Sequence, residues 1–358
     1  MTSSLRLAWR SCAFSLAIAV LALGWLSPAK AAGIVLKETG STLLYPLFQM
    51  WIRDYPEVAP GVTLTAAATG SGVGEKEAMA GQVQIGASDA YLSEEEAEQN
   101  PEIKNIPVAI SAQTVNFNIP GLKGTGLKLD GPTLAAIYTG GITEWDAAPI
   151  KAMNPGVDLP HQTIVPIRRE DASGDTFIFT QFLDFSTQNW GDKIGYGKTV
   201  DWPAVPGERT ASSNEDMVKT AAATPYSVAY IGISFRDAVA KAGLGTALLK
   251  NQNGKFLLPT ADTIDAGAAA LDPRTPPDER LTLVFAPGDD SYPLVNYEYV
   301  VVSVRQPDPE TAAALRKFLL WAISLVGGNV PKYLDAVGFI SLPDFIRGLS
   351  EHQINLIK

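Results

Sequence analysis

An arginine, a serine, a glycine and an aspartate lie close together where one helix is predicted to begin. The stretch RREDASGDTFIFT contains Arg169, Ser173, Gly174 and Asp175 ahead of a run of apolar residues. A helix N-terminus presents unpaired N–H groups and the positive end of the helix dipole. Gly174 lets the backbone approach a ligand closely, and Arg169 supplies a forked cationic donor. This combination is suited to an oxyanion.

Two other loops offer the same kind of donor. Ser41 and Thr42 lie ahead of the predicted helix LLYPLFQMWIRDY, and Ser71 lies in TGSGVG before a second helix. Asp89 follows the end of another predicted strand. Each hydroxyl taken singly is explained by an ordinary helix N-cap. Together with Arg169, the three loops predict a cradle for a small anion.

The charged side chains indicate which anion would bind. An ionised carboxylate only accepts hydrogen bonds, so Asp89 and Asp175 suit the P–OH group of phosphate, whereas a fully ionised sulfate has no hydrogen to donate. A polar mismatch of this kind discriminates by roughly 10⁴-fold. For Arg169, the alternative role is an ordinary surface ion pair with Glu170 or Asp171.

Other chemistries lack their usual residues in this sequence. The chain has two histidines, and His161 and His352 lie far apart in settings where solvent exposure is expected. No Walker loop occurs, and TGSGVG is a weak match to a dinucleotide turn. We therefore predict no catalytic residue, no metal site and no cofactor. A phosphatase that uses Asp89 or Asp175 as nucleophile or base stays an alternative.

Short strands and helices alternate around these loops. Predicted strands at 34–36, 62–68, 83–87 and 163–167 each lead to a loop or helix start rich in short polar side chains. Such alternation predicts α/β layers with mostly parallel sheets. Ligands of these sheets bind outside the carboxyl ends of the strands, which is where all three hydroxyl loops fall.

Residues 1–32 have the pattern of a secretory signal peptide. A basic start precedes an apolar run, and Ala29-Lys30-Ala31 fits a cleavage site; an uncleaved anchor is the alternative. Cys12 precedes the apolar run, so a lipobox cysteine is not expected. Cleavage would take the formal net charge from -10 to -13, because three basic residues and no acids are lost. An acidic surface disfavours nucleic acid as a partner.

After residue 32 the chain resembles the substrate-binding protein of the phosphate-specific ABC transporter, over essentially its whole length. The stretches that match occur in order with sensible gaps, and none of them suffices alone. They are ETGSTLLYPLF (38–48), TGSGVG (69–74), IGASDAYLS (85–93), LDGPTLAAIYTGGITEWDAAPIKAMNPGVDLP (129–160), RREDASGDTFIFTQFL (168–183), VAYIGISF (228–235) and YPLVNYEYVVV (292–302).

The resemblance implies a type II periplasmic binding protein fold, in which two α/β lobes are joined by a two-strand hinge and the ligand cleft lies between them. It places lobe I at 33–115 plus 292–358, lobe II at 118–289, and the hinge strands at about 114–118 and 295–299. It further implies a monomeric periplasmic protein that binds inorganic phosphate and delivers it to ABC transporter permease subunits in the inner membrane, without catalysis.

Carried over position by position, the resemblance also implies the phosphate ligands. They are Ser41, Thr42, Leu43 (through its N–H), Ser71, Asp89, Arg169, Ser173, Gly174 and Asp175. Asp171 matches the family position that orients the arginine.

Two positions depart from the pattern of many members of that family. Leu44-Tyr45-Pro46 stands where many have Thr before an aromatic residue and proline, so Ser41 and Thr42 must supply the hydroxyls of the first loop. Asp175 stands where many have Thr, and a second acceptor favours the more protonated phosphate species. A receptor for sulfate or molybdate on the same scaffold stays an alternative, and Asp89 discriminates between these ligands.

Overall fold

The structure is a computed structural model that describes residues 33–122, 124–188 and 190–358. The predicted signal peptide falls on residues 1–32 and lies outside the described residues. Residues 34–358 form one compact unit. Across the described part of the chain, no helix has both the length and the apolar character needed to cross a membrane.

The strands of the described residues form one connected sheet. They are β1 (Ile34–Gly40), β2 (Val62–Thr65), β3 (Ile85–Ser88), β4 (Ile103–Asn118), β5 (Thr125–Leu129), β6 (Val165–Arg169), β7 (Arg209–Ala211), β8 (Ser227–Gly232), β9 (Gly245–Lys250), β10 (Phe256–Leu257) and β11 (Val295–Ser303). The strand order is β2-β1-β3-β11-β4-β8-β6-β7, and β9 pairs with β4, β5 and β10.

Helices pack around this sheet. They are α1 (Tyr45–Val58), α2 (Ser71–Met79), α3 (Glu94–Gln99), α4 (Gly131–Tyr138), α5 (Ala148–Met153), α6 (Gly174–Ser186), α7 (Asn214–Ala223), α8 (Arg236–Lys241), α9 (Ala261–Ala269), α10 (Pro309–Ala322), α11 (Pro331–Val337) and α12 (Asp344–Ile354).

The predicted α/β architecture is confirmed, but the sheet is mixed rather than mostly parallel. Parallel pairs join β1 to β2 and β3, and β6 to β7 and β8. The long strand β4 runs antiparallel to both β11 and β8. Its residues 103–112 pair with β11, and residues 113–118 pair with β8. The local pattern of short strands and helices does not reveal the direction of β4 and β11.

Apolar spacing in α1 explains how the first site loop is anchored. Leu47, Phe48, Trp51 and Tyr55 keep helical spacing and are buried. The rings of Phe48, Trp51 and Tyr55 pack around Phe318 of α10, at centroid distances of 5.0 to 6.2 Å. Each such burial contributes about 1.5–3 kcal/mol. The loop ahead of α1 is therefore attached to a rigid element.

Strand β6 extends two residues beyond its predicted end at residue 167. Its residues Arg168 and Arg169 pair with Thr210 and Ala211 of β7. The backbone of Arg169 is therefore part of the sheet, and its side chain begins at the carboxyl edge where α6 and α7 start.

Candidate functional site

The helices that concern the site begin after the carboxyl ends of four strands in this sheet. Helix α1 follows β1, α2 follows β2, α6 follows β6, and α7 follows β7. Each N-terminus carries unpaired N–H groups and partial positive charge. The polar residues predicted from the sequence lie at or next to the first three of them.

Asp89, just after β3, accepts hydrogen bonds from two of the predicted hydroxyls. Ser41 Oγ donates to its Oδ1, and Ser71 Oγ lies 3.3 Å from its Oδ2. Gly174 of α6 lies against this pair, because a Cβ at this position would be 2.6 Å from both Asp89 Oδ2 and Ser71 Oγ. Ser41, Ser71, Asp89 and Gly174 therefore form one contiguous group.

Arg169 and Asp175 form a second group beside Thr42. Arg169 Nη1 donates to Asp175 Oδ2 at 2.8 Å and lies 3.4 Å from Thr42 Oγ1. Asp171 receives two hydrogen bonds from the guanidinium, at 2.7 and 2.6 Å. These two hydrogen bonds give Asp171 the geometry that is needed to orient the arginine.

The remaining two predicted residues make local contacts. Ser173 caps α6, since its Oγ accepts from the N–H of Thr176 at 3.4 Å. The N–H of Leu43 donates to Ser41 Oγ at 3.1 Å. The N-cap interpretation thus holds for Ser173, whereas Ser71 makes no side-chain cap on α2.

Arg169 does form an ion pair with Asp171, but the guanidinium is buried, so this pair is not an ordinary surface ion pair. Its side chain is 1% exposed, and Glu170 instead accepts a hydrogen bond from Thr210 at 2.7 Å. Asp89 and Asp175 are 2% and 1% exposed. Charges in such a low-dielectric setting interact more strongly than on a surface.

Comparison with known proteins identifies the family of this chain. Residues 27–325 match the family model described as a PBP superfamily domain. The phosphate-binding protein PstS of Methanocaldococcus jannaschii is 33% identical over 347 residues, which cover 92% of this chain and 88% of that protein. PstS of Haemophilus influenzae is 30% identical over 318 residues, covering 89% and 92%. This chain belongs to the PstS family of the PBP superfamily.

Solved structures agree on the fold of this PstS-family protein. A human phosphate binding apolipoprotein superposes with a TM-score of 0.70 at 17% identity, over 87% of this chain and 92% of that chain. A phosphate binding protein from Stenotrophomonas maltophilia superposes with a TM-score of 0.66 at 19% identity, over 89% and 94%. The predicted type II periplasmic binding protein fold, with its two α/β lobes, is confirmed.

Burial raises the pKa of Asp89, Asp175 and Glu298 in the site of this PstS-family protein. Burial raises the pKa of Asp89 well above its usual range, and the charges of Glu298 and Asp175 raise it further. Burial also raises the pKa of Glu298, to about 7. The pKa of Asp175 is raised by burial, while the charge of Arg169 and hydrogen bonds from Gln113 and Asn214 lower it. These acids therefore hold protons more readily than acids in water.

Arg169 stays charged in spite of its burial. Burial lowers the pKa of its guanidinium, but the hydrogen bond to Asp171 and the charges of Asp175 and Asp171 outweigh this and raise it. Arg169 thus brings a fixed positive charge to a group of carboxyls.

Sequence reasoning missed Asn214, although a local signal for it exists. Asn214 Nδ2 donates to Thr42 Oγ1 at 2.8 Å and to Asp175 Oδ2 at 2.7 Å. The stretch RTASSNEDM carries the same order of strand, hydroxyls and helix start as the three loops predicted to form the cradle.

Three further residues at the site were missed for a different reason. Gln113 lies within β4 and donates to Asp175 Oδ1 at 3.1 Å, and Glu298 lies within β11 beside Asp89. The only sign of Gln113 and Glu298 in the sequence is that each is a polar residue inside an otherwise apolar strand. Lys198 forms an ion pair with the buried Glu75 of α2, and no local pattern indicated it.

The histidines lie where the sequence placed them. The side chain of His161 is 82% exposed and pairs with Asp146, and His352 is exposed. The described residues contain no group of three or more His, Cys, Asp or Glu side chains that could hold a metal ion.

Gly174 provides a test of how closely α6 must approach Asp89. We expect Gly174→Ala to weaken the binding of an oxyanion at this site by about tenfold or more, because the added Cβ displaces Asp89 and Ser71, and overpacking of this kind costs about 1–3 kcal/mol. Isothermal titration with phosphate measures the loss.

Gly348→Ala is the matched control. Gly348 lies inside α12, and a Cβ added there would have nothing within 4 Å, so alanine favours the helix by about 1 kcal/mol and leaves the site alone. Equal affinities for the two variants and the wild type would contradict the close approach at Gly174.

Proposed function

We propose that this protein binds inorganic phosphate and delivers it to the permease of an ABC transporter for import. The observation that carries the proposal is the meeting of a buried guanidinium, Arg169, with the buried carboxyls of Asp89 and Asp175 at a set of helix N-termini. The relatives named phosphate-binding protein PstS support the same ligand.

The donors and acceptors of the site suit a protonated oxyanion. When phosphate binds, hydroxyls and backbone N–H groups at the starts of α1, α2 and α6 are proposed to turn from their present partners and to donate to the oxygens that carry no hydrogen. Arg169 supplies charge and a forked donor. Asp89 accepts from the P–OH group. We propose the nine residues predicted from the sequence as the ligands, with Asp171 holding the arginine in place.

The two lobes are proposed to close on the ligand about β4 and the start of β11, with the boundaries predicted above. Contacts that join the two proposed lobes support this arrangement. Gly72 N donates to Ala172 O at 2.9 Å, and Thr42 contacts Asn214. The ion pair between the buried Glu75 and the partly buried Lys198 also joins the proposed lobes.

Location and partners follow from the family and from the sequence pattern. We propose a monomer that is secreted to the periplasm through the signal peptide at 1–32 and that meets the inner-membrane permease subunits there. The family is one of binding proteins, and we propose that this member performs no covalent chemistry.

A titration of the purified, ligand-stripped protein tests the ligand. We expect phosphate to bind with a dissociation constant of about 1 μM or below, which corresponds to about -8 kcal/mol. Arsenate, which has similar size and protonation, should bind more weakly, and sulfate should give no heat at matched concentration. Isothermal titration calorimetry with the three anions is the measurement.

The outcomes separate the alternatives. Sulfate or molybdate binding as tight as phosphate binding would favour a receptor for a fully ionised oxyanion. Release of phosphate from a phosphomonoester, abolished by Asp89→Asn, would favour the phosphatase. Absence of binding to all of these anions would contradict the proposed function.

A further inference from the structure

Glu298 is a buried acid that faces Asp89 from the neighbouring strand. Strand β11 pairs antiparallel with β3, and Tyr299 lies opposite Ser88. The next step of this register places Glu298 opposite Asp89. The two carboxyl groups lie close enough to shift each other's pKa, and Glu298 is 0% exposed. Nothing in the predicted ligand set includes this residue.

The two oxygens of Glu298 have different surroundings. Oε1 accepts from Ser111 Oγ at 2.5 Å and from Asn296 Nδ2 at 2.9 Å. Oε2 is buried and receives no hydrogen bond from any donor among the described residues. A buried oxygen without a donor is destabilising if it is ionised, whereas a protonated oxygen can itself donate.

Both oxygens of Asp89 already accept hydrogen bonds. Ser41 Oγ accepts from the N–H groups of Leu43 and Leu44, so its own hydrogen is free to point to Asp89 Oδ1. Ser71 Oγ accepts from the N–H of Asp89 and donates to Oδ2. This pattern is that of an ionised acceptor.

Two ionised carboxylates in contact have no hydrogen to share, so one of them must be protonated. We propose that Glu298 is a positioning residue for phosphate specificity, which holds one proton against Asp89 and so keeps Asp89 an ionised acceptor for the P–OH group. The inference rests on the proposed function and extends the same site.

Burial raises the pKa of Glu298 to about 7 and that of Asp89 well above its usual range. The charge of Glu298 and the hydrogen bond between the two groups raise the pKa of Asp89 further, while this hydrogen bond lowers the pKa of Glu298. These shifts keep a proton on the pair, and the hydroxyls of Ser41 and Ser71, which donate to the two oxygens of Asp89, place that proton on Glu298. Because the two groups are in contact, the proton belongs to the pair. Asp175 of α6 adds a negative charge that faces both acids, and Arg169 of β6 partly balances Asp175.

The sign of the pH effect follows from the charge of the bound anion. While the pair holds its shared proton, it presents one negative charge to the ligand. Once that proton leaves at higher pH, two carboxylates repel the phosphate. Binding should therefore weaken as pH rises through the loss of this proton, beyond the change caused by the ionisation of phosphate itself.

Glu298→Gln tests the inference because its amide donates to Asp89 at every pH. Between about pH 6 and about pH 9, the fall in phosphate affinity should be at least about tenfold smaller in E298Q than in the wild type, since each pH unit above the pKa costs up to tenfold. Phosphate ionises identically in both titrations, so the ratio of the two changes in affinity reports the contribution of the protein alone.

Two further measurements distinguish a proton-holding role from a structural one. Titrations at about pH 8 in buffers of different ionisation enthalpy should show that the wild type takes up more protons on binding phosphate than E298Q does. The infrared band of protonated carboxyl groups in the ligand-free protein should lose intensity in E298Q. This second readout needs no phosphate.

Glu279→Gln is the matched control. Glu279 is also buried, and burial raises its pKa to about 8, but its carboxyl contacts Ser350 and Gln353. E279Q should keep the wild-type pH profile for phosphate. A wild type that binds no phosphate at any pH overturns the proposed function. If the wild type binds phosphate but matches E298Q in the pH dependence of its affinity, in the number of protons taken up on binding and in its carboxyl infrared band, the inference about Glu298 is overturned while the proposed function stands.

Discussion

Replacement of Arg169 by alanine is expected to weaken phosphate binding by at least about 100-fold. Arg169 is the one cation that contacts Asp175 among the described residues, and its side chain is 1% exposed. Without it, the acids of the site would face an incoming anion with no compensating charge. Loss of one partner from a buried charge pair costs about 2–5 kcal/mol, and each 1.4 kcal/mol is tenfold in affinity.

The neighbouring arginine offers the control for this experiment. Arg168 pairs with Glu208 at 3.0 Å near the surface, where its side chain is 24% exposed, and such a pair contributes about 0–1 kcal/mol. Arg168→Ala should therefore bind phosphate like the wild type in a calorimetric titration. Arg169→Lys keeps the charge but not the fork, and it should fall between the two.

Folding must be separated from binding in the Arg169 variant, because its removal leaves Asp175 uncompensated. A double variant with Asp175→Asn removes that charge as well. It should unfold near the wild-type temperature and still bind phosphate weakly. A dissociation constant unaltered by Arg169→Ala would show that the guanidinium is peripheral to the ligand.

Replacement of Asp89 by asparagine is expected to reduce the preference for phosphate over sulfate by at least about 100-fold. A polar mismatch of this kind provides a preference of roughly 10⁴-fold in the wild type. The carboxylate accepts the hydrogen of P–OH, and it leaves sulfate facing an unpaired negative charge. The amide removes that charge and donates a hydrogen bond to a sulfate oxygen. Competition between the two anions in one titration measures the ratio directly.

Asp146→Asn controls for the general effect of losing one carboxylate. Asp146 lies near the surface and pairs with Lys151 and His161, so its removal changes the net charge by the same amount without touching the site. Selectivity should stay at the wild-type value in D146N. Unchanged selectivity in D89N as well would contradict the role of Asp89 as the hydrogen acceptor.

Local patterns were enough to predict the α/β elements and to select the residues proposed as the site. A strand followed by hydroxyl side chains and the start of a helix is a signal contained within about ten residues. Helix N-termini favour short polar side chains, and ligands of α/β sheets bind where the strands end and the helices begin. Ser41, Ser71 and Ser173 were predicted on this ground. Asn214 carries the same signal, so its place at the site is also within the reach of the sequence.

Glu298 and Lys198 show where local patterns end. Glu298 reaches Asp89 through the register of β11 on β3, and Lys198 reaches Glu75 through the packing of distant segments. A one-residue change of register would turn the Glu298 side chain to the other face of the sheet. No spacing within either segment specifies that register.

The sequence by itself determined the elements, the family and the chemical types of the groups that line the site. The tertiary structure alone decided which of these groups meet, and with that their protonation. The physical reason is that a pKa depends on burial and on neighbouring charges, and both are supplied by segments that lie far apart in the chain. The sequence alone shows that Asp89 is an acid, but only the fold places Glu298 and its proton beside it.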